Sequence, residues 1–289
     1  MQTSLEHQTP EPAISVLDLK HWFGEGNLRR EVLRDINLTV EAGRSTFLMG
    51  QSGCGKTTLL TLIGALRSIM KGSVKVLGQE LAGATEAQLV QARRDIGFVF
   101  QHHNLHRSLT LLQNVRMGLE VKGESGRADA NDRCMAVLEA VGIADHAHKR
   151  QETVSGGQKQ RAAIARALVG NPGLLLADEP TAALDKKTGR EVVELMHDIA
   201  AKRGMTILMV THDSRILDIA DQIIEMDDGR IINEVRPPPD LSAWSALANV
   251  NSAVSIGLHK TPAPKSPVPN LQTLRILPGF THPQRSEMP

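Results

Sequence analysis

The sequence predicts an α/β fold in which a central, mostly parallel sheet carries an antiparallel β subdomain and an α-helical subdomain. Three observations lead there. First, the β-prone run Thr46 to Met49 enters Gly50-Gln51-Ser52-Gly53-Cys54-Gly55-Lys56-Thr57, a full match to GxxxxGK[ST], and an apolar helix face follows at Leu59, Leu60, Leu62, Ile63 and Leu66. Second, Leu174 to Ala177, a helix from about Lys187 to Arg203 and Thr206 to Val210 make strand, helix, strand, which is a parallel crossover. Third, between Gln101 and about Val154 the pattern changes from strands to helices.

Length and charge bound what such a fold can do. With 289 residues the chain can build one large α/β domain or two small ones. Its formal net charge of +1, with both signs mixed along the sequence, lacks the basic field of nucleic-acid binding, so no nucleic-acid partner is expected. Cys54 and Cys134 offer no disulfide framework and fit a reducing, ATP-rich compartment. The N-terminus has no apolar signal core, and no run is long enough to cross a bilayer. Any membrane contact is therefore expected to be peripheral or through a partner.

In chain order, residues 1–12 read as a loose leader, being polar and containing two prolines. Ile14 to Phe23 and Val32 to Val40 alternate as half-buried antiparallel strands around a turn at Gly24 to Asn27. Ser73 to Leu77 is a short strand and Glu86 to Arg94 a short helix. Ile96 to Phe100 is an almost continuous apolar run, expected to be buried on both faces of a parallel sheet, and ends on Gln101. Leu111 to Val121 and Ala130 to Val141 are the helices of the insert, the second with Cys134, Val137, Leu138 and Val141 on one face. A helix follows from Lys159 to Val169. After Val210 come a short helix near Ser214 to Ile219 and a closing hairpin, Gln222 to Met226 and Arg230 to Glu234, turning at Asp228-Gly229. From residue 236 to 289 the composition shifts to Pro, Ser and Ala and reads as a weakly ordered tail. A short amphipathic helix through Leu241, Trp244, Leu247, Val250 and Val254 is the alternative there.

The chemistry lies in three stretches. In the GxxxxGK[ST] loop, a P-loop, Gly50, Gly53 and Gly55 let backbone N–H groups approach phosphate oxygens, and the helix start adds its positive end. Lys56 supplies a point charge to the β/γ-phosphates and Thr57 a hydroxyl to Mg²⁺. The run Leu174 to Pro180 ends a buried strand on two carboxylates: Asp178 is expected to hold Mg²⁺, leaving Glu179 free to accept a proton from the attacking water. Val154-Ser155-Gly156-Gly157-Gln158 opens another helix with a hydroxyl and bare backbone N–H groups, a second anion site.

A P-loop, a strand ending in Gln101, SGGQKQRAAIARAL, LLLADEPT and a strand running into Thr211-His212-Asp213, in that order, resemble the nucleotide-binding subunit of ATP-binding cassette (ABC) transporters over about residues 13–235. The resemblance implies a P-loop NTPase fold, an ABC ATPase domain over 13–235 with its helical subdomain at about 102–160, ATP and Mg²⁺ as ligands, and ATP hydrolysis coupled to transport. It places Gln51, Ser52, Cys54 and Thr58 with the P-loop glycines, Lys56 and Thr57 around ATP. Phe23 is the candidate to stack on adenine, with Trp22 second. Gln101 is implied to touch Mg²⁺ and the attacking water, and His212 the γ-phosphate. Ser155, Gly156, Gly157 and Gln158 match the signature that reaches the ATP of the opposite subunit in a head-to-tail dimer, and Asp185 the dimer seam. Val154 stands where the family has Leu, one methylene smaller. The implied partners are a second copy of the chain and integral membrane permease subunits, at the cytoplasmic face of the inner (plasma) membrane.

Within the family, residues 24–38 and the stretch Gln101 to Thr110 are similar to exporter ATPases of the MacB and LolD type. The run LTLIGALRSIMKGSVKVLGQEL looks most like the DevA-type ATPases of cyanobacterial glycolipid export. These imply export or extraction of a lipid or other hydrophobic substrate, with a periplasmic adaptor and an outer-membrane channel as further partners. An importer ATPase and a soluble, non-transport ABC ATPase are the alternatives. His102, His103 and His106 lack nearby Cys or carboxylate and read as a polar loop facing the transporter, not a metal site. Cys134 reads as core. Cys54, between two loop glycines and near Lys56, is expected to be reactive and reachable by alkylating reagents.

Overall fold

Two sheets meet across the P-loop helix in the computed structural model, which describes residues 11–236. The leader expected over 1–12, apart from Glu11 and Pro12, and the tail expected over 236–289, apart from Arg236, lie outside the described residues. The first sheet is antiparallel and contains β1 (Ile14–Phe23), β2 (Arg30–Val40), β4 (Lys71–Val76) and β5 (Gln79–Glu80), in the order β2-β1-β4-β5. Alternation in β1 and β2 buries Ile14, Val16, Leu19, Ile36, Leu38 and Val40 on one face. Two irregularities in the β1–β2 ladder lie near Asp18 and Asp35, both with left-handed backbones, φ 47° and 51°.

The second sheet holds β3 (Ser45–Gly50), β6 (Ile96–Val99), β7 (Leu174–Asp178), β8 (Thr206–Val210), β9 (Gln222–Asp227) and β10 (Arg230–Val235), in the order β10-β9-β3-β8-β7-β6. All its neighbours are parallel except β9 with β10. Between the sheets lies α1 (Lys56–Ile63), whose Leu59, Leu60, Leu62 and Ile63 join Val16, Leu48, Leu176 and Leu208 in one core. A second core lies on the other face, where Phe47, Val99, Leu175 and Ile207 meet the remaining long helices.

Four helices begin at side-chain caps. Thr85 closes a capping box on α2 (Glu86–Arg94), Thr110 on α3 (Leu111–Glu120) and Ser155 on α5 (Gly156–Leu168). Asp185 caps α6 (Lys186–Arg203), which ends on left-handed Gly204. With α4 (Ala130–Ala140), α3 and α5 form the helical insert; Gly118 brings α3 so close to α5 that a Cβ there would lie 2.2 Å from the Arg166 carbonyl oxygen. No described helix is long and apolar enough to cross a membrane.

Two expectations are corrected, and one strand was not expected. β6 is an edge strand, so Ile96 and Phe98 are only half-buried and the run is not covered on both faces. The closing hairpin β9–β10 forms as expected, and β9 also pairs in parallel with β3, which joins it to the main sheet. β5, two residues long, has no periodicity from which to read it. Finally, α5 starts at Gly156, because Ser155 and Gln158 cap it reciprocally.

Candidate active site

The loop after β3 is shaped by backbone that side chains would block. Gly50 has φ 145°, and a Cβ there would lie 2.1 Å from the Met226 carbonyl oxygen; Gly55, at φ 106°, caps α1 in a left-handed conformation. Gln51, Ser52 and Gly53 are exposed at its crest. Lys56 is buried, and its Nζ donates to the carbonyls of Gly50 and Gln51 at 2.8 Å each. An ammonium has three protons, and the third faces only the weak acceptor Cys54 Sγ at 3.8 Å, which an anion at the start of α1 can outcompete. The Cys54 N–H closes a turn on the Gln51 carbonyl at 3.3 Å, and its own carbonyl accepts from Gly229 N at 3.1 Å. The residue is only 7% exposed, and its thiol lies 3.8 Å from Lys56 Nζ. That corrects the expected accessibility: the side chain points under the loop into the core, not toward the phosphate side. Thr58 is half-buried on the first turn of α1.

The C-terminal ends of three parallel strands, β6, β7 and β8, converge beside this loop. Asp178, the last residue of β7, is 8% exposed and accepts from Thr57 Oγ1 at 3.2 Å. Burial raises its pKa and the charge of Glu179 adds to that, while the Thr57 hydrogen bond and the Lys56 charge act against it. Glu179 follows in the left-handed region, φ 44°, with its N–H on the Val210 carbonyl at 2.9 Å. That conformation costs a non-glycine residue about 1–2 kcal/mol. It turns the side chain away from the strand and between two groups: Oε2 accepts from Gln101 Nε2 at 3.4 Å, and Oε1 lies 3.3 Å from His212 Nδ1. Gln101 comes from the end of β6. His212 comes from the end of β8, where the Thr211 N–H on the Leu48 carbonyl and Arg215 on Asp213 hold the turn.

The oxygen donors present suit a hard divalent cation bound with phosphate: a hydroxyl at Thr57, a buried carboxylate at Asp178 and an amide at Gln101. One carboxylate with substrate phosphates is the usual complement for Mg²⁺, so these residues fit it.

The remaining expected residues divide between places. Phe23 is 40% exposed, with its edge against His21 and the Arg67 guanidinium 5.1 Å from its ring centroid. It shares a face of β1 with buried His21, whereas the Trp22 ring, on the other face, is covered by Arg29 at 3.7 Å. Burial and the Arg67 charge lower the pKa of His21. Ser155 spends its hydroxyl on Gln158 N at 3.3 Å, and Gln158 Oε1 accepts from Ser155 N at 2.9 Å. Gly157 packs against α6, where a Cβ would lie 2.8 Å from Thr188 Cγ2. Asp185 accepts from the N–H groups of Lys187 and Thr188 at 3.1 Å, bonds to Thr188 that hold its carboxyl below the ordinary range. Among the described residues, no hydrogen bond or ion pair joins Ser155–Gln158 to the P-loop or to Asp178 and Glu179 of the same chain.

Two further residues organise this region: His103, expected from the sequence in a polar loop facing the transporter but turned instead to α5, and Arg166, which reading the sequence missed. His103 Nε2 lies 3.2 Å from the Gly156 carbonyl, and Arg166 donates to the carbonyls of His103 and Asn104. No periodicity signals such bonds, because their acceptors are backbone atoms.

Comparison with known proteins places this geometry. The family model described as ABC transporter matches residues 33–182. A methionine import ATP-binding protein, MetN, from Nocardia farcinica (strain IFM 10152) is 40% identical over 255 residues, 88% of this chain and 76% of that protein. The macrolide export ATP-binding/permease protein MacB of Aggregatibacter actinomycetemcomitans is 41% identical over 224 residues, 77% of this chain but 34% of its own length. The dimeric structure of a post-hydrolysis state of the ATP-binding cassette MJ0796 bound to ADP and Pi superposes with a TM-score of 0.72 at 34% identity, covering 78% of this chain and 100% of that one.

Proposed function

From the premise that this chain belongs to the ABC transporter ATP-binding family and is an ATPase using ATP with Mg²⁺, we propose that it powers export or extraction of a lipid or other hydrophobic substrate through separate membrane subunits. Residues 13–235 are the nucleotide-binding domain, with the helical subdomain at about 102–160. Lys56 and the N–H groups of residues 50–58 hold the phosphates, and Phe23, whose ring keeps an open side while Trp22 is covered by Arg29, stacks on the base. Thr57, Asp178 and Gln101 hold Mg²⁺, which when bound offsets charge on the phosphate oxygens. Glu179 accepts the proton of the attacking water, while Gln101 and His212 position it. The observation that carries the hydrolytic assignment is the left-handed Glu179 set between Gln101 and His212.

Ser155–Gln158 make no bond to the P-loop of their own chain, which supports their serving the ATP of a second copy, with Asp185 at the seam. Membrane subunits seat at a groove of about 380 Å³ beside β6, the strand that ends on Gln101. Leu66, Phe98, Met117 and Val121 give it an apolar floor, and Arg94 and Arg166 border it, which suits a short helix with apolar and acidic side chains. Through those subunits the protein works at the cytoplasmic face of the inner membrane; in export, a periplasmic adaptor and an outer-membrane channel complete the assembly.

Resemblance of residues 24–38, 60–81 and 101–110 to exporter ATPases supports the outward direction. A second reading, import, is supported by the methionine import relatives. Purification from membranes with the partner chains, followed by reconstitution in vesicles, separates the two. Movement of lipid away from the ATPase side supports export, and ATP-driven uptake of a small solute toward it refutes export.

A further inference from the structure

The segment that leaves β6 is held at both ends. At its start Gln101 bonds Glu179. Two residues later the His103 imidazole reaches the first turn of α5, where its Nε2 lies 3.2 Å from the Gly156 carbonyl oxygen. A carbonyl only accepts, so Nε2 carries the hydrogen. Arg166, further along α5, fastens the backbone of the same segment, with Nη2 on the His103 carbonyl at 2.8 Å and Nη1 on that of Asn104 at 2.5 Å. Asn104 has a left-handed backbone there, φ 48°. Four residues thus connect the hydrolytic carboxylate to the helix that begins with Ser155–Gln158.

The Gly156 carbonyl has a particular partner within its own peptide. Its peptide plane also contains the N–H of Gly157, which points the opposite way, and a donor on the oxygen polarises that N–H into a stronger donor. A bond at Gly156 therefore both orients and strengthens a group that the signature turn offers to an anion.

We propose that His103 is a positioning residue, a strut that fixes the Gly156–Gly157 peptide relative to the Gln101–Glu179 pair. The inference rests on the reading that Ser155–Gln158 serve the second copy's ATP. On that reading, Gln101 and Glu179 belong to one composite site of the dimer while Gly157 belongs to the other. His103 then links the two sites within a single chain, and its loss uncouples them.

The test is steady-state ATP hydrolysis by the purified full chain. His103→Phe keeps the ring and removes the donor; His103→Gln restores an N–H at a similar reach. His103→Phe is expected to lower kcat about fivefold, the worth of one net hydrogen bond, to leave KM for ATP within about twofold, and to bring the Hill coefficient for ATP close to 1. His103→Gln is expected to regain most of both. A merely structural role would lower Tm without splitting kcat from KM and without rescue. If His103→Phe does not fold, Arg166→Gln, which frees the carbonyls of residues 103 and 104, is expected to lower kcat in the same way at unchanged KM. Wild-type kcat and cooperativity in whichever of these two variants folds overturns the strut. Mixed Ser155→Arg and Lys56→Ala chains that form heterodimers with no occupied composite site instead overturn the reading on which the strut rests.

Discussion

Replacing Glu179 by Gln separates chemistry from everything else the site does. The substitution keeps the side chain's length and the left-handed backbone, so the strain at φ 44° is the same in both proteins. One amide oxygen still accepts from either Gln101 or His212, now 3.4 Å and 3.3 Å from the two carboxylate oxygens. The other position becomes an NH₂, which faces either the Gln101 amide donor or an imidazole nitrogen that accepts only in its other tautomer. Because the Glu179 side chain is 23% exposed, water can satisfy that group, and the stability cost is expected to stay near 1 kcal/mol. The ligands of phosphate and Mg²⁺, Lys56, Thr57 and Asp178, are untouched. What is lost is a proton acceptor in the transition state, worth 10²–10⁴ in rate, or about 3–5 kcal/mol of barrier. Phosphate release should therefore fall by roughly that factor while ATP affinity stays within about twofold. Size-exclusion with Mg·ATP should show a trapped dimer. Hydrolysis within tenfold of wild type, or monomer alone in the presence of ATP, refutes the assignment.

Other perturbations probe separate parts. Ser155→Arg should abolish hydrolysis while nucleotide still binds the monomer's own P-loop; the lost cap of α5 should also lower stability by about 1 kcal/mol, seen as a few degrees in Tm. Mixed with Lys56→Ala, it should give heterodimers with one intact composite site, and heterodimers lacking any occupied site contradict trans action. Cys54 and Cys134, 7% and 0% exposed, should both resist maleimide in the native protein and react in denaturant; rapid native labelling of Cys54, mapped by peptide, contradicts its burial. Buried His21 has a lowered pKa, so below about pH 6.5 the unfolded chain binds a proton that the folded chain refuses, and stability falls as pH falls, by up to about 1.4 kcal/mol per unit. His21→Leu should flatten that acid limb in thermal melts between pH 7 and 5, and an unchanged slope rejects the mechanism.

Local chemistry explains which parts of the fold could be read in advance. α2, β8 and the turn of helix at Ser214–Ile219 begin and end where periodicity and caps place them. The start of α5 lies three residues earlier than expected, because two glycines read as loop while the reciprocal bonds of Ser155 and Gln158 make them helical. Strand neighbours are a different matter. Whether Ile96–Val99 sits at the edge or β9 lies beside β3 depends on pairings distant in sequence, which no local pattern encodes. In the site, GxxxxGK[ST] and the paired carboxylates at 178 and 179 announce residue types that phosphate chemistry needs. That Gln101, Glu179 and His212 come within hydrogen-bonding reach follows only from the order of three parallel strands. The direction of the Cys54 side chain was likewise hidden, since the core it enters includes Ile224 and Met226, far away in sequence.

The brace beneath the P-loop sets an order of events on the ribosome. Gly229 donates to the Cys54 carbonyl and accepts from Arg34 N–H, while the Met226 carbonyl lies where a side chain on Gly50 would be. Synthesis places the loop roughly 175 residues ahead of that support, which at about 5–20 residues per second is a wait of roughly 10 to 35 s. Throughout that interval the glycine-rich turn has neither its floor nor the strand β9 at its side. A nascent chain thus completes this support for the loop only after the helical insert has been made, so the phosphate loop gains its floor well after it has itself been synthesised.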